Sequence, residues 1–328
     1  MSHLLSIILL LGLSFQVSLA QPKIIFDTDF GGDADDLGAL AMLHNLVEEG
    51  ECDLIAVMCW STEKYAVSAI DAVNRYYQHP NIPIGMRKDP IHEVDWNHSK
   101  TITESFEFKL TPDNAPETTD LYRKILSSQE DQSVTIVTVG PLKNIERLIR
   151  SESDQYSSMN GKDLIRQKVK EFVIMGGQYP SGENEWNFNG NMPGVTKYVL
   201  ENIPVPITFL GYEVGLVIKT GSVFNQINPQ SPLYIGFHHF SKHAPWMNDA
   251  FKGEILDNAT YDQTAVLYAV RGGIGKYWDR VADGTCVADS TGGNTWEPQT
   301  TSDHSYLKLK SSPEEMAELI EHLMLNPL

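Results

Sequence analysis

Cysteine is scarce in this 328-residue chain, with only Cys52, Cys59 and Cys286 present. Three thiols make neither a disulfide framework nor a CxxC metal pair. Cys52 and Cys59 flank or lie in a strand-like run and read as buried thiols, with one bridge to Cys286 left open. Basic residues are also few: 25 Lys and Arg stand against 43 Asp and Glu, a formal net charge of −18. That balance argues against a nucleic-acid polymer or an anionic membrane surface as partner. No apolar run is long enough to span a bilayer comfortably. No internal repeat or low-complexity linker divides the chain.

The first twenty residues lack Lys and Arg but carry a short apolar run, Leu4 to Leu13. Val17-Ser18-Leu19-Ala20 then offers small residues at cleavage positions. This reads as a secretory signal peptide over residues 1–20, leaving one domain over 21–328 and a secreted or secretory-lumen location. That length suffices for one large α/β domain with a substantial core. Sequons at Asn97-His98-Ser99 and Asn258-Ala259-Thr260 are compatible with that route.

What the chain does have is acid in one place. Ile24-Ile25-Phe26 reads as a buried strand, and the loop after it carries Asp27, Asp29, Asp33, Asp35 and Asp36 with Gly31 and Gly32 between them. Leu37, Leu40, Ala41 and Leu43 then recur at helical spacing. The acids therefore sit between the C-terminal end of a strand and the N-terminal end of a helix, the rim where open α/β sheets bind ligands. Carboxylates so crowded repel one another unless something positive holds them, and a hard divalent cation is the usual answer.

Further strands are expected at Leu54–Met58, Ile82–Met86, Val134–Val139, Phe172–Met175 and Val205–Leu210. Helices are expected across Tyr65–Tyr77, Glu117–Leu126, Leu142–Ile149 and Thr264–Val270. Arg87 to Pro116, polar and containing His92, Trp96 and His98, reads as one long loop. Ser312-Pro313-Glu314-Glu315 supplies an N-cap, an N1 proline and first-turn acids to a terminal amphipathic helix. Strands alternating with helices imply an open, mainly parallel sheet flanked by helices, with right-handed crossovers, in a single domain.

Four strand-end motifs stand out: DTDFGGDADD (Asp27–Asp36), VGPLKNI (Val139–Ile145), MGGQYPSGENEWNFN (Met175–Asn189) and YDQTAVL (Tyr261–Leu267). In this order they resemble the inosine–uridine-preferring nucleoside hydrolase family over nearly all of the chain after residue 20. The branch resembled has a DTDxGxDxDD loop, two residues longer than the commoner DxDPGxDD. The resemblance implies a Ca²⁺-dependent hydrolase that cleaves ribonucleosides to free base and ribose, and it leaves a homo-oligomer open. By position, Asp29 and Asp36 would be calcium ligands, with a main-chain carbonyl near Val139 and the Asp262 carboxylate completing the cage. Asp35 would be the general base and Asp27 a support. Met175, Asn184, Asn187 and Asn189 fall where the family holds the ribose; the role of Asp33 stays open.

The chemistry suits these residue types. N-ribosidic cleavage passes through an oxocarbenium-like sugar. Calcium accepts many oxygen ligands, a carboxylate removes a proton from water, and asparagine both donates to and accepts from sugar hydroxyls. Three departures stand out. Cys59-Trp60-Ser61-Thr62-Glu63 replaces an expected asparagine contact, Asn187 replaces the acid of an ExN motif, and Tyr261 stands where many members carry a leaving-group histidine. A phenol of pKa near roughly 10 is a poor acid at neutral pH. His238, His239 and His243 read as surface or loop histidines, with a leaving-group role for one of them open. Trp186 and Trp246 read as core rather than base-stacking platforms, although Trp186 sits inside the third motif. Ile24–Asp29 also suits a haloacid-dehalogenase-like phosphatase with Asp27 as nucleophile, but Phe30-Gly31 is wrong after the second acid. An EF-hand fails because Gly31 takes the third ligand slot. A secreted calcium-dependent sugar- or nucleoside-binding ex-hydrolase is the non-enzymatic alternative.

Overall fold

The structure is a computed structural model describing residues 21–90, 94–299 and 303–325. The leader expected over 1–20, and His92, lie outside the described residues. In chain order the strands are β1 (Lys23–Thr28), β2 (Asp53–Cys59), β3 (Ile84–Met86), β4 (Val134–Thr138), β5 (Val169–Met175), β6 (Ser181–Gly182), β7 (Ile207–Leu210), β8 (Lys219–Thr220), β9 (Asn258–Ala259), β10 (Trp278–Val281), β11 (Gly284–Ala288), β12 (Asn294–Pro298) and β13 (His304–Leu309). The helices are α1 (Asp35–Glu48), α2 (Ala66–Tyr76), α3 (Ser99–Ser105), α4 (Thr118–Ser127), α5 (Lys143–Arg150), α6 (Gly161–Lys168), α7 (Trp186–Asn189), α8 (Val195–Asn202), α9 (Tyr212–Val217), α10 (Pro232–His243), α11 (Asp262–Arg271) and α12 (Pro313–Leu325).

Eight strands form the central sheet in the order β10-β13-β7-β5-β4-β1-β2-β3. Every pairing is parallel except β10 with β13 at one edge. β1 lies inside, and its alternating side chains feed two cores: Ile24 and Phe26 join one cluster, Ile25 the other. Burial on both faces is why the strand reads as a continuous apolar run. From β1 the chain winds outward through β2 and β3, then returns to β4 on the other side of β1. The gap between the carboxyl ends of β1 and β4 is thus the switch point of the sheet, where ligands bind in such folds. The acidic loop follows β1, and Val139 follows β4.

Most expected elements are present within a few residues. α4 is capped by Glu117, whose side chain accepts from the Thr119 amide. At α12 the Ser312 hydroxyl accepts from the Glu315 amide while Glu315 accepts from the Ser312 amide, a reciprocal cap. The loop expected over Arg87–Pro116 is interrupted by α3, a seven-residue helix that buries little beyond Ser99 and Ile102 and so carries no apolar stripe to read. The three thiols are buried and unbridged. Among the described residues no helix is long and apolar enough to cross a membrane.

The back of α1 carries a buried histidine chain. His44 Nε2 lies 2.9 Å from Asn74 Oδ1 and Nδ1 lies 2.8 Å from His79 Nδ1, while His79 Nε2 is 2.7 Å from Glu48. Burial, then the neighbouring His79, depresses the His44 pKa to about 3. A group whose folded pKa lies below its unfolded value leaves the native state unprotonated while the unfolded chain takes up a proton. Stability is therefore lost as pH falls below the unfolded value near roughly 6.5. Between there and pH 5, His44 should account for up to about 2 kcal/mol of destabilisation. Melting temperatures across that window should fall less steeply in His44→Gln than in the parent; parallel slopes would remove His44 as the cause.

Candidate active site

Two helix N-termini meet at the switch point. α1 begins with Asp35 and Asp36, and α11 begins with Asp262, so each positive dipole end faces the same acids. Their approach is close because Gly38 presents only hydrogen to Gln263; a Cβ there would collide with its side-chain amide. Gly140 plays the same part after β4, where a Cβ would lie 2.9 Å from the Asp29 backbone nitrogen.

One carboxylate oxygen each from Asp35, Asp36 and Asp262 lies within 4.8 Å of the others, and all three residues are buried. The Thr28 hydroxyl donates to Asp36 Oδ1, the Asp36 amide donates to Asp35 Oδ1 at 3.0 Å, and the Asp262 amide reaches Asp35 Oδ2 at 3.3 Å. Burial first, then mutual repulsion, holds the pKa of all three well above the usual carboxylate range. Asp29 and Asp33 are pushed up to about 6, chiefly by burial. Buried carboxylates without compensating charge are expensive, so such clusters coordinate metals or hold protons. The donor set is entirely oxygen, which suits a hard cation such as calcium rather than a thiophilic metal. On that chemistry the residues fit the expected ion.

The remaining sequence-derived residues fall into place unevenly. Asp29 lines the same cleft, its Oδ2 accepting from Trp186 Nε1 at 2.8 Å. Val139 and Met175 also line it. Asn184 and Asn187 do so too, but Asn187 Nδ2 is turned to the carbonyls of Val139 (2.8 Å) and Met175 (3.1 Å). Asn189 does not line the cleft: its Nδ2 donates to the Thr291 carbonyl at 3.0 Å and pins that loop. Asp27 stands apart from the other acids. The period-2 alternation of β1 sends it to the face of Ile25, where Tyr122 Oη (2.7 Å) and Asn144 Nδ2 (3.1 Å) donate to it, and burial raises it to about 7. Asp33 ties the loop together, its Oδ1 accepting from the Ala34 amide and from Asn258 Nδ2, each at 2.6 Å. Asn258, in the second sequon, is buried in the folded chain.

Tyr261 caps α11 and stacks on Tyr212 with centroids 5.3 Å apart. Burial and Tyr212 hold its phenol well above the ordinary range. His238, His239 and His243 lie on α10, outside the cleft lining, with His239 Nδ1 2.9 Å from Thr101 Oγ1. Trp186 and Trp246 are not core: they are 44% and 55% exposed and both line the cleft. Trp60, Trp96 and Tyr212 join them there. Sequence reasoning missed these three aromatics, along with Glu185, whose side chain accepts from the amides of Gly177, Asn187 and Phe188 and so fixes the asparagine segment. The available signal was tryptophan recurring in polar surroundings.

A mainly parallel sheet with a buried carboxylate triad at its switch point is an α/β arrangement able to hold a metal ion. Residues 24–311 match the inosine-uridine preferring nucleoside hydrolase family, and the chain belongs to it. It is accordingly a glycosidase acting on N-glycosyl compounds. The phosphatase and non-enzymatic readings give way to that assignment. A plant nucleoside hydrolase shares the fold at TM-score 0.69 and 16% identity, over 93% of this chain and 99% of the other. The type III effector protein XopQ, solved with adenosine diphosphate ribose, aligns at TM-score 0.67 and 13% identity over 93% of each chain. No curated protein sequence matches the chain.

Proposed function

We propose that the protein is a secreted, calcium-dependent hydrolase that cleaves the N-glycosidic bond of ribonucleosides to free base and ribose. The observation that carries this reading is the buried Asp35–Asp36–Asp262 cluster. Asp29, Asp36, Asp262 and the Val139 carbonyl would hold the ion. Bound calcium supplies Lewis acidity toward oxygen ligands such as sugar hydroxyls and water. Asp35 takes the proton from the attacking water, using a carboxylate oriented by the amides of Asp36 and Asp262. Asn184 offers its exposed amide to the ribose, and the indole of Trp186 shields that side of the cleft from water. Departure of the sugar–base bond leaves an oxocarbenium-like ribosyl group, which the surrounding carboxylates stabilise by charge. Secretion rests on the apolar leader ending in Val17–Ala20.

A second assignment of the acids is favoured by one distance. Asp35, not Asp29, shares the 4.8 Å cluster with Asp36 and Asp262. In that arrangement Asp35 would join the ligands and Asp29 would be the base. XopQ was solved with adenosine diphosphate ribose, but among the described residues nine carboxyl side chains and a single cation, Lys197, line the cleft, which disfavours a diphosphate.

Free ribose released from a panel of nucleosides, with and without chelator, tests the reading. Release should stop on chelation and return with calcium; turnover indifferent to chelator would overturn the metal dependence. With a phenol at position 261, rate should depend steeply on the leaving group. 4-Nitrophenyl riboside should be cleaved much faster than inosine or uridine, and Tyr261→Phe should change that activated rate less than about threefold, since no proton is needed. Inosine turnover as fast as that of the activated substrate would refute this.

A further inference from the structure

The acid cluster accounts for the floor of the cleft but not for its walls or size. The cavity is about 1700 Å³, well above the roughly 300–1,000 Å³ usual for small-molecule sites. Its walls carry three aromatic pairs. Trp60 and Trp186 meet edge-to-face with centroids 6.4 Å apart, Trp96 and Trp246 at 5.6 Å, and Tyr212 stacks on Tyr261 at 5.3 Å. Indoles as exposed as Trp186 and Trp246 forgo burial, and such apolar surface in a cleft marks a binding site. The polar lining is one-sided in charge. Glu183, Asp289 and Glu297 extend the negative potential outward from the cluster. Lys197, the sole cation among the described lining residues, faces Glu201 at 4.0 Å, and Arg87, which covers one face of Trp60 at 4.2 Å from behind the wall, is paired with Asp89. A bound divalent ion leaves that sign unchanged. Among the described lining residues there is no histidine.

Aromatic faces within a field of carboxylates bind cations, because ring quadrupole and net charge act in the same direction. We propose that the substrate this cleft prefers is a riboside whose heterocycle carries a permanent positive charge, such as an N-ribosylated pyridinium. The proposal rests on the nucleoside-hydrolase reading and names its substrate class. The C1′–N bond breaks with its electron pair passing to the ring nitrogen, which converts the cationic ring to a neutral base. Water supplies oxygen to C1′, and its proton goes to the carboxylate base and then to solvent. No proton has to reach the departing ring, so the cleft needs no imidazole beside it. The charge that binds the ring disappears as the bond breaks, which also favours release of the product.

The test uses the calcium-loaded protein with three substrates: nicotinamide riboside (cationic), 4-nitrophenyl riboside (neutral, departing without protonation) and inosine (neutral, needing protonation). kcat/KM for nicotinamide riboside should exceed that for inosine by about 100-fold. Its KM should lie below that of the nitrophenyl compound and rise with salt, as screening demands. A binding readout free of bond cleavage is competitive inhibition, where the 1-methylnicotinamide cation, methylated on the ring nitrogen, should inhibit about tenfold more tightly than uncharged nicotinamide. Trp246→Leu and Glu297→Gln should each raise the KM for nicotinamide riboside more than that for 4-nitrophenyl riboside. Equal KM values for the two activated substrates, with no salt dependence and equal inhibition constants, would overturn cation recognition while leaving the hydrolase intact. No ribose from any of the three, with calcium bound, would instead sink the hydrolase reading itself.

Discussion

Asp36→Asn should abolish calcium binding and lower activity about 10³-fold or more, the several kcal/mol that a catalytic metal contributes. Asp36 is buried in the first turn of α1 and accepts from the Thr28 hydroxyl, so the amide fits the same space with little change in packing. What it removes is one negative charge from a cluster whose members already repel one another. In the absence of calcium the variant should therefore melt no lower than the parent. In its presence, the rise in melting temperature that ligand binding gives the parent should vanish. Metal analysis of the folded variant checks both; normal calcium content would remove Asp36 from the ligand set.

Asp35→Ala should retain calcium and lose about 10²–10⁴-fold in kcat, the usual range for a general base. KM for the ribose-bearing substrate should stay within a few-fold, because the cut affects proton removal rather than sugar contacts. The decisive comparison is with Asp29→Ala. If Asp35→Ala loses calcium as completely as Asp36→Asn while Asp29→Ala keeps it, the base is Asp29 and the two acids exchange roles. The 4.8 Å grouping that includes Asp35 and omits Asp29 is what makes both variants necessary.

The fold and the centre of the site were legible because each rests on a local pattern. An apolar run ending in acid, followed at once by helical spacing, can only be a strand, a loop and a helix start, and β1 and α1 occupy those positions. Parallel strands buried on both faces announce themselves in the same way. What local pattern could not carry was direction and long-range pairing. Five acids in ten residues looked like one group, yet strand alternation sends Asp27 to Tyr122 and Asn144 on the other face. Asn189 matched a motif by position but is spent on the Thr291 carbonyl, contributed from 102 residues away. The β6–β12–β11 sheet and the antiparallel β10 edge are short and pair across distant segments, so neither has a periodic signature. Trp186 and Trp246 were assigned to the core from residue type alone; only the shape of the cleft reveals that they are lining it.

The convergence of α1 and α11 has a consequence for how the enzyme comes into being. Their acids are held on segments 227 residues apart, joined through the Asp262 amide and Asp35. A cation gripping both would act as a non-covalent crosslink closing a loop of 227 residues, roughly two thirds of the chain. Entropy of closure makes such a link most valuable when the enclosed loop is long. During synthesis the first half of the site would exist well before the second emerges, so an incomplete chain would have acids but no grip. Capture of such an ion would then report long-range folding: it would be held tightly only by a molecule in which α11 has already folded against α1.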